Sequence, residues 1–123
     1  YINIVQDLSA VTAACFMVRK QLYIDMLGFD EKLAVAFNDV DFCLKVRTAK
    51  YLIVYNPFVE AYHYESKSRG EDTENEEKQK RFAKEYELFV KRWSKVIAKG
   101  DPYYNKNYRL DTDLPKINYN KIN

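Results

Sequence analysis

Large apolar residues recur at Phe82, Tyr86, Phe89, Val90, Trp93 and Ile97, the spacing of one continuous helical stripe. Glu76 precedes Lys80 and Glu77 precedes Arg81 by four positions, so acids lead and bases follow along this helix, as its dipole prefers. Gly100 and Pro102 end it. Upstream, the run AVTAACFMV at 10–18 is small, β-branched and apolar, the pattern of a buried strand. Leu22, Ile24, Met26 and Leu27 predict a short helix over 19–27, closed by Gly28. Residues 29–37 read as a connection. Val40, Cys43, Leu44 and Arg47 then fall on one helical face, which predicts a helix over 39–48 with Asn38 as its N-cap. YLIVY at 51–55 is a short strand punctuated by Pro57, and 58–64 predicts a second one. The stretch 65–74 holds no large apolar residue and reads as a solvated loop. The expected fold is α/β, with mixed strands and a long amphipathic C-terminal helix. Residues 1–100 form the domain, and 101–123 form a polar tail that wraps it or stays loose.

Composition narrows the function classes. The 123 residues suffice for one domain with a thin core. The formal charge of +2 gives no concentrated basic footprint, which argues against a nucleic-acid partner. No apolar run approaches the roughly 18 residues that cross a bilayer. Eleven tyrosines bring rings that bury one edge and keep a hydroxyl for water or a ligand. Cys15 and Cys43 make no disulfide framework and are expected as small core residues in a reducing compartment. The chain opens at Tyr1, without an initiator Met, and enters an apolar run almost at once. It is therefore expected to be a piece of a longer protein.

Two places carry candidate chemistry. Asn38, Asp39 and Asp41 can be a helix start, since acids in a first turn meet unpaired N–H groups. Residues i and i+2 do not face one another, however, so one acid can cap while the other opens toward a cleft as a general base. His63, the sole histidine, is either an incidental strand-end residue or a metal ligand. Beside it, Ser66, Lys67, Ser68, Arg69 and Gly70 offer hydroxyls, cations and a flexible glycine, a composition that suits phosphate oxygens as well as a plain solvated loop.

Four landmarks in order change the balance: the apolar run ending in Val18-Arg19, GFDE at 28–31, NDVDFCLK at 38–45 and HYESKSRG at 63–70. Over 11–70, with a weaker echo at 101–110, the chain resembles the C-terminal half of family 2 glycosyltransferases of the GT-A type, above all rhamnosyltransferase- and galactofuranosyltransferase-like members. The resemblance implies an inverting transfer from a nucleotide-diphosphate sugar to a glycan or lipid-linked glycan. Asp39 is then the catalytic base, with Asn38 standing where many relatives have an acid. Asn38 and Asp41 are implied at the sugar-acceptor side, Asp41 for hydrogen bonding or capping. His63 is implied as a ligand of a divalent metal, Mn2+ or Mg2+, and Ser66, Ser68 and Arg69 as neighbours of the diphosphate. The DxD motif of such enzymes belongs to an N-terminal half. Asp39-Val40-Asp41 and the tail's Asp111-Thr112-Asp113 do not replace it, so the metal is expected to bind mainly with that missing half. The same likeness implies work on a surface polysaccharide or cell wall, on the cytoplasmic side and at the inner face of the membrane. This piece is expected to be inactive alone and to self-associate through exposed apolar surface. Two other readings stand beside it: a non-catalytic carbohydrate-binding or assembly domain, and a partner-binding module built on the 82–97 stripe.

Overall fold

The computed structural model describes residues 3–62, 64, 75–109, 111 and 116–117. In chain order these form β1 (Gln6–Leu8), a 3-10 turn (Ala13–Cys15), α1 (Lys20–Asp25), α2 (Asn38–Thr48), β2 (Ile53–Tyr55) and α3 (Glu76–Ile97). β1 and β2 pair antiparallel, Asp7 opposite Val54. The architecture is mixed α/β, with a small two-stranded sheet and one long helix. Among the described residues, no helix is long and apolar enough to cross a membrane.

α3 starts where Asn75 accepts a hydrogen bond from Lys78 N at 2.9 Å, with Glu76 and Glu77 in the first turn. Lys80 reaches back to Glu76 at 3.3 Å, whereas Arg81 lies 3.9 Å from Glu85, one turn further on. The helix ends near Gly100, whose φ is +73°. Its buried face is rotated from the expected stripe. Phe89 is buried, but Phe82, Tyr86 and Ile97 are 40%, 51% and 47% exposed. The residue one turn before Phe89 on the buried side is Glu85.

α2 lies against this face. Leu33, Leu44 and Phe89 make the core, flanked by Phe37, Val40, Leu88, Val90, Trp93 and Val96. Asp41, Phe42, Cys43, Leu44 and Val46 are all buried, so α2 is covered on more than one side. A second aromatic cluster seats the preceding segment: Phe16, Tyr23, Phe29 and Phe42 have ring centroids 5.2 to 6.1 Å apart.

Leu27 and Gly28 both take left-handed φ, and Gly28 N bonds back to Tyr23 O at 2.9 Å. A Cβ on Gly28 would meet the Tyr23 ring at 2.8 Å. Gly28→Ala should therefore destabilise the protein by about 2 kcal/mol or more, a left-handed penalty plus displacement of a packed ring. Denaturant unfolding, with the midpoint unchanged as the contrary result, checks this.

Three sequence expectations need correction. The run at 10–18 is not a strand, and its residues are not core: Met17 is 98% exposed and Cys15 is exposed. The amides a ladder would use are engaged elsewhere, Ala14 N with Thr12 Oγ1 at 3.3 Å and Ala13 N with Asp39. No strand forms among the described residues of 58–64 either, because Asn56 takes the amides of Phe58 and Val59 into a turn. The expected N-cap moves as well, as described below. The start of the tail is docked: Ser9 donates to Asp101 at 2.5 Å, while Arg47 donates to Ser9 at 2.8 Å and stands over the Tyr103 ring. The solvated loop expected at 65–74 lies outside the described residues.

Candidate functional site

Residues 28–37 deliver the chain to the start of α2, and side chains hold several of its amides on the way. Asp30 accepts from Lys32 N at 2.9 Å, and Leu33 N closes a turn on Asp30 O. Glu85, 4% exposed, then accepts from Ala36 N at 2.5 Å and from Val35 N at 3.4 Å. Phe37 follows with φ 64°, a left-handed conformation that bulky residues rarely adopt. Its ring stacks on Phe89 at 5.1 Å and touches Phe82 and Tyr86.

Phe37, not Asn38, occupies the N-cap position, and it caps with no side chain. Asn38 is the first helical residue, its Oδ1 accepting from Asp39 N at 2.7 Å. The ring contacts of Phe37 set that backbone, so the helix begins one residue earlier than the capping preference of Asn predicts.

Asp39 is half-buried in the first turn. Its Oδ1 accepts from Val40 N at 2.8 Å and its Oδ2 from Ala13 N at 3.1 Å. Among the described residues no cation pairs with it. The turn at 13–15 and the head of α2 are thus joined through this one carboxylate. Cys43 lies below it, with its Sγ 3.8 Å from Val11 O; burial pushes its thiol up, and the Asp39 charge adds to the effect. Cys43 is a packing residue, and its thiolate is disfavoured.

Asp41 points the other way. It is fully buried, and its oxygens face donors of the protein itself. Arg92 Nη1 donates to its Oδ1 at 2.7 Å, Trp93 Nε1 to the same oxygen at 2.8 Å, and Lys45 Nζ lies 3.0 Å from Oδ2. Arg92 also donates to Asp30 at 2.5 Å, and Lys45 to Gly28 O at 3.2 Å. The network ties GFDE, α2 and α3 into one body. Its acid members ionise easily. Burial opposes the charge on Asp41, yet Arg92, Trp93 and Lys45 outweigh it and hold its carboxyl below the ordinary value of 3.8. The Lys32 amide and then Arg92 lower Asp30 likewise. A depressed folded-state pKa gives stability that is complete above the unfolded value and is lost as pH falls through the folded one. Unfolding free energy should accordingly be flat near neutrality and fall as the pH drops into and below the ordinary carboxylate range. Denaturant titrations across that range check it; an acid-side plateau would count against the network.

His63, Ser66, Ser68 and Arg69 lie outside the described residues. Among the described residues, no group of three His, Cys, Asp or Glu side chains is arranged to hold a metal ion. Sequence reasoning missed Glu85, Arg92 and Trp93 Nε1 as partners of the motif. One signal was available: Glu85 and Arg92 sit four before and three after Phe89, charged residues on a face otherwise apolar.

Comparison with known proteins gives distant, partial kin. The chain is 46% identical over 108 residues to the uncharacterized protein y4gI of Sinorhizobium fredii, covering 86% of this chain and 12% of that protein. It is 30% identical over 102 residues to the O-antigen biosynthesis protein RfbC of Myxococcus xanthus, 82% of this chain and 8% of that one. Over 62 residues it is 32% identical to the N-acetylglucosaminyl-diphospho-decaprenol L-rhamnosyltransferase of Mycobacterium tuberculosis, 50% of this chain and 20% of the enzyme. The chain thus spans between 8% and 20% of the length of these relatives. No protein-family model and no solved structure matches it. The two relatives with descriptive names support a glycosyltransferase-like kinship.

Proposed function

We propose that this chain is the sugar-acceptor side of an inverting GT-A-type glycosyltransferase that uses a nucleotide-diphosphate sugar and builds a surface glycan. Asp39 is the general base. One observation carries the reading: of the two acids in the motif, Asp41 is sealed in a structural network, while Asp39 stays half-buried at the helix head with no cation paired to it among the described residues. Backbone amides hold each of its oxygens. A carboxylate so placed keeps lone pairs for an incoming hydroxyl.

In this mechanism Asp39 removes the proton from the attacking hydroxyl as its oxygen reaches the anomeric carbon. The nucleoside diphosphate leaves from the opposite face. Asn38, in the same turn, is assigned to hydrogen bonds with the sugar acceptor, and Ser66, Ser68 and Arg69 to the diphosphate oxygens. A divalent ion, when bound, supplies charge neutralisation on such a leaving group. His63 is the residue of this chain assigned to it. The described residues do not form a metal site by themselves.

Asp39→Asn in the intact protein tests the proposal. Transfer must collapse while the fold survives; full transfer by that variant removes Asp39 from the role. A non-catalytic carbohydrate-binding reading draws on one specific feature, the 94% exposure of Tyr62. Glycan binding without any donor turnover would favour it.

A further inference from the structure

We infer that Glu85 and Phe37 are positioning residues for Asp39, through which α3 sets the place of the proposed base. The inference rests on the reading of Asp39 as that base. Two independent features support it. First, a bulky residue at φ 64° sits two positions before Asp39. Such conformations persist only where surrounding structure imposes them, and they gather at functional sites. Second, a buried carboxylate from a helix about 50 positions later bonds the two amides just before that strained residue. A plain helix start needs neither feature. Asn or Ser at the cap would satisfy the first turn locally.

The chain of contacts is short. Glu85 fixes Ala36 N, the Phe37 ring locks onto Phe89, Phe37 O receives Asp41 N at 2.8 Å, and α2 begins in one orientation. Asp39 lies within that first turn. Releasing Ala36 and Val35 would let the turn relax toward an ordinary cap and swing the Asp39 carboxylate away from the hydroxyl whose proton it takes. Misplacement of a catalytic group by about 1 Å costs about a hundredfold in rate.

The experiment uses the intact protein and a glycosyl-transfer assay, with Asp39→Asn as a companion. Glu85→Leu is expected to lower kcat per folded molecule by about ten- to a hundredfold, with the donor KM unchanged. Glu85→Gln keeps an oxygen for Ala36 N and should restore most of kcat, which loss of packing alone would not predict. Wild-type kcat in folded Glu85→Leu overturns the inference, as does a Gln variant no better than Leu. Should Glu85→Leu not fold, Phe37→Gly decides: glycine accepts φ 64° without strain but leaves the α3 face. A lowered kcat there supports the inference, and an unchanged one overturns it. Active Asp39→Asn would overturn the base assignment and this inference together. Inactive Asp39→Asn beside fully active Glu85→Leu and Phe37→Gly would overturn the positioning role alone.

Discussion

Asp39→Asn in the intact protein should lower transfer about 10²–10⁴-fold, the span typical of a lost general base. The effect should fall equally on kcat and kcat/KM, because the proton moves only in the transition state. Stability should change little. The Asn amide oxygen can still accept from either Ala13 N or Val40 N, which now bond different oxygens of the acid. Losing one such bond costs about 1 kcal/mol. Initial rates with a nucleotide-sugar donor, together with a thermal melt, separate a chemical loss from an unfolded one. A melt shifted as far as that of a core mutant would mean that position 39 is structural.

The second large effect is on stability. Arg92→Leu removes the cation that joins Asp41 to Asp30 and leaves a fully buried carboxylate with Lys45 and Trp93 as its partners among the described residues. Breaking a buried pair from one side costs about 3–5 kcal/mol, and the retained Lys45 places this case near the lower end. Adding Asp41→Leu should recover part of the loss, since a buried ion pair replaced by apolar side chains is often close to neutral. A double-mutant cycle read by denaturant unfolding measures that coupling. Additive single effects would show that the two residues act separately. Arg92→Leu should also blunt the fall in stability at acid pH, because Asp41 and Asp30 would lose a partner that lowers their pKa values.

The contrast between these two substitutions shows what the sequence reveals and where it stops. Local signals carried α1 with its Gly28 stop, α2, β2 and α3, because periodicity and end residues act within a few positions. The Asn-Asp-Val-Asp motif was visible for the same reason. The division of labour between its acids was not, since Asp41 takes its role from residues 51 and 52 positions away. The missed strand β1 is a similar case: Gln-Asp-Leu has no pattern of its own and is a strand only opposite β2. The run at 10–18 failed in the opposite sense. It has the composition of a buried strand, but Asp39 and Thr12 draw its amides into a turn. Phe37 at the N-cap position contradicts the local preference outright, as rings and a carboxylate from α3 impose it.

Because the supports of the 37–41 turn come from Glu85, Phe89, Arg92 and Trp93, the ribosome emits the motif well before its anchors. The nascent chain therefore carries the acids as a loosely shaped segment until those later residues clear the exit tunnel. Any protease cut or stop codon ahead of Trp93 leaves the signature letters without the geometry that gives them meaning.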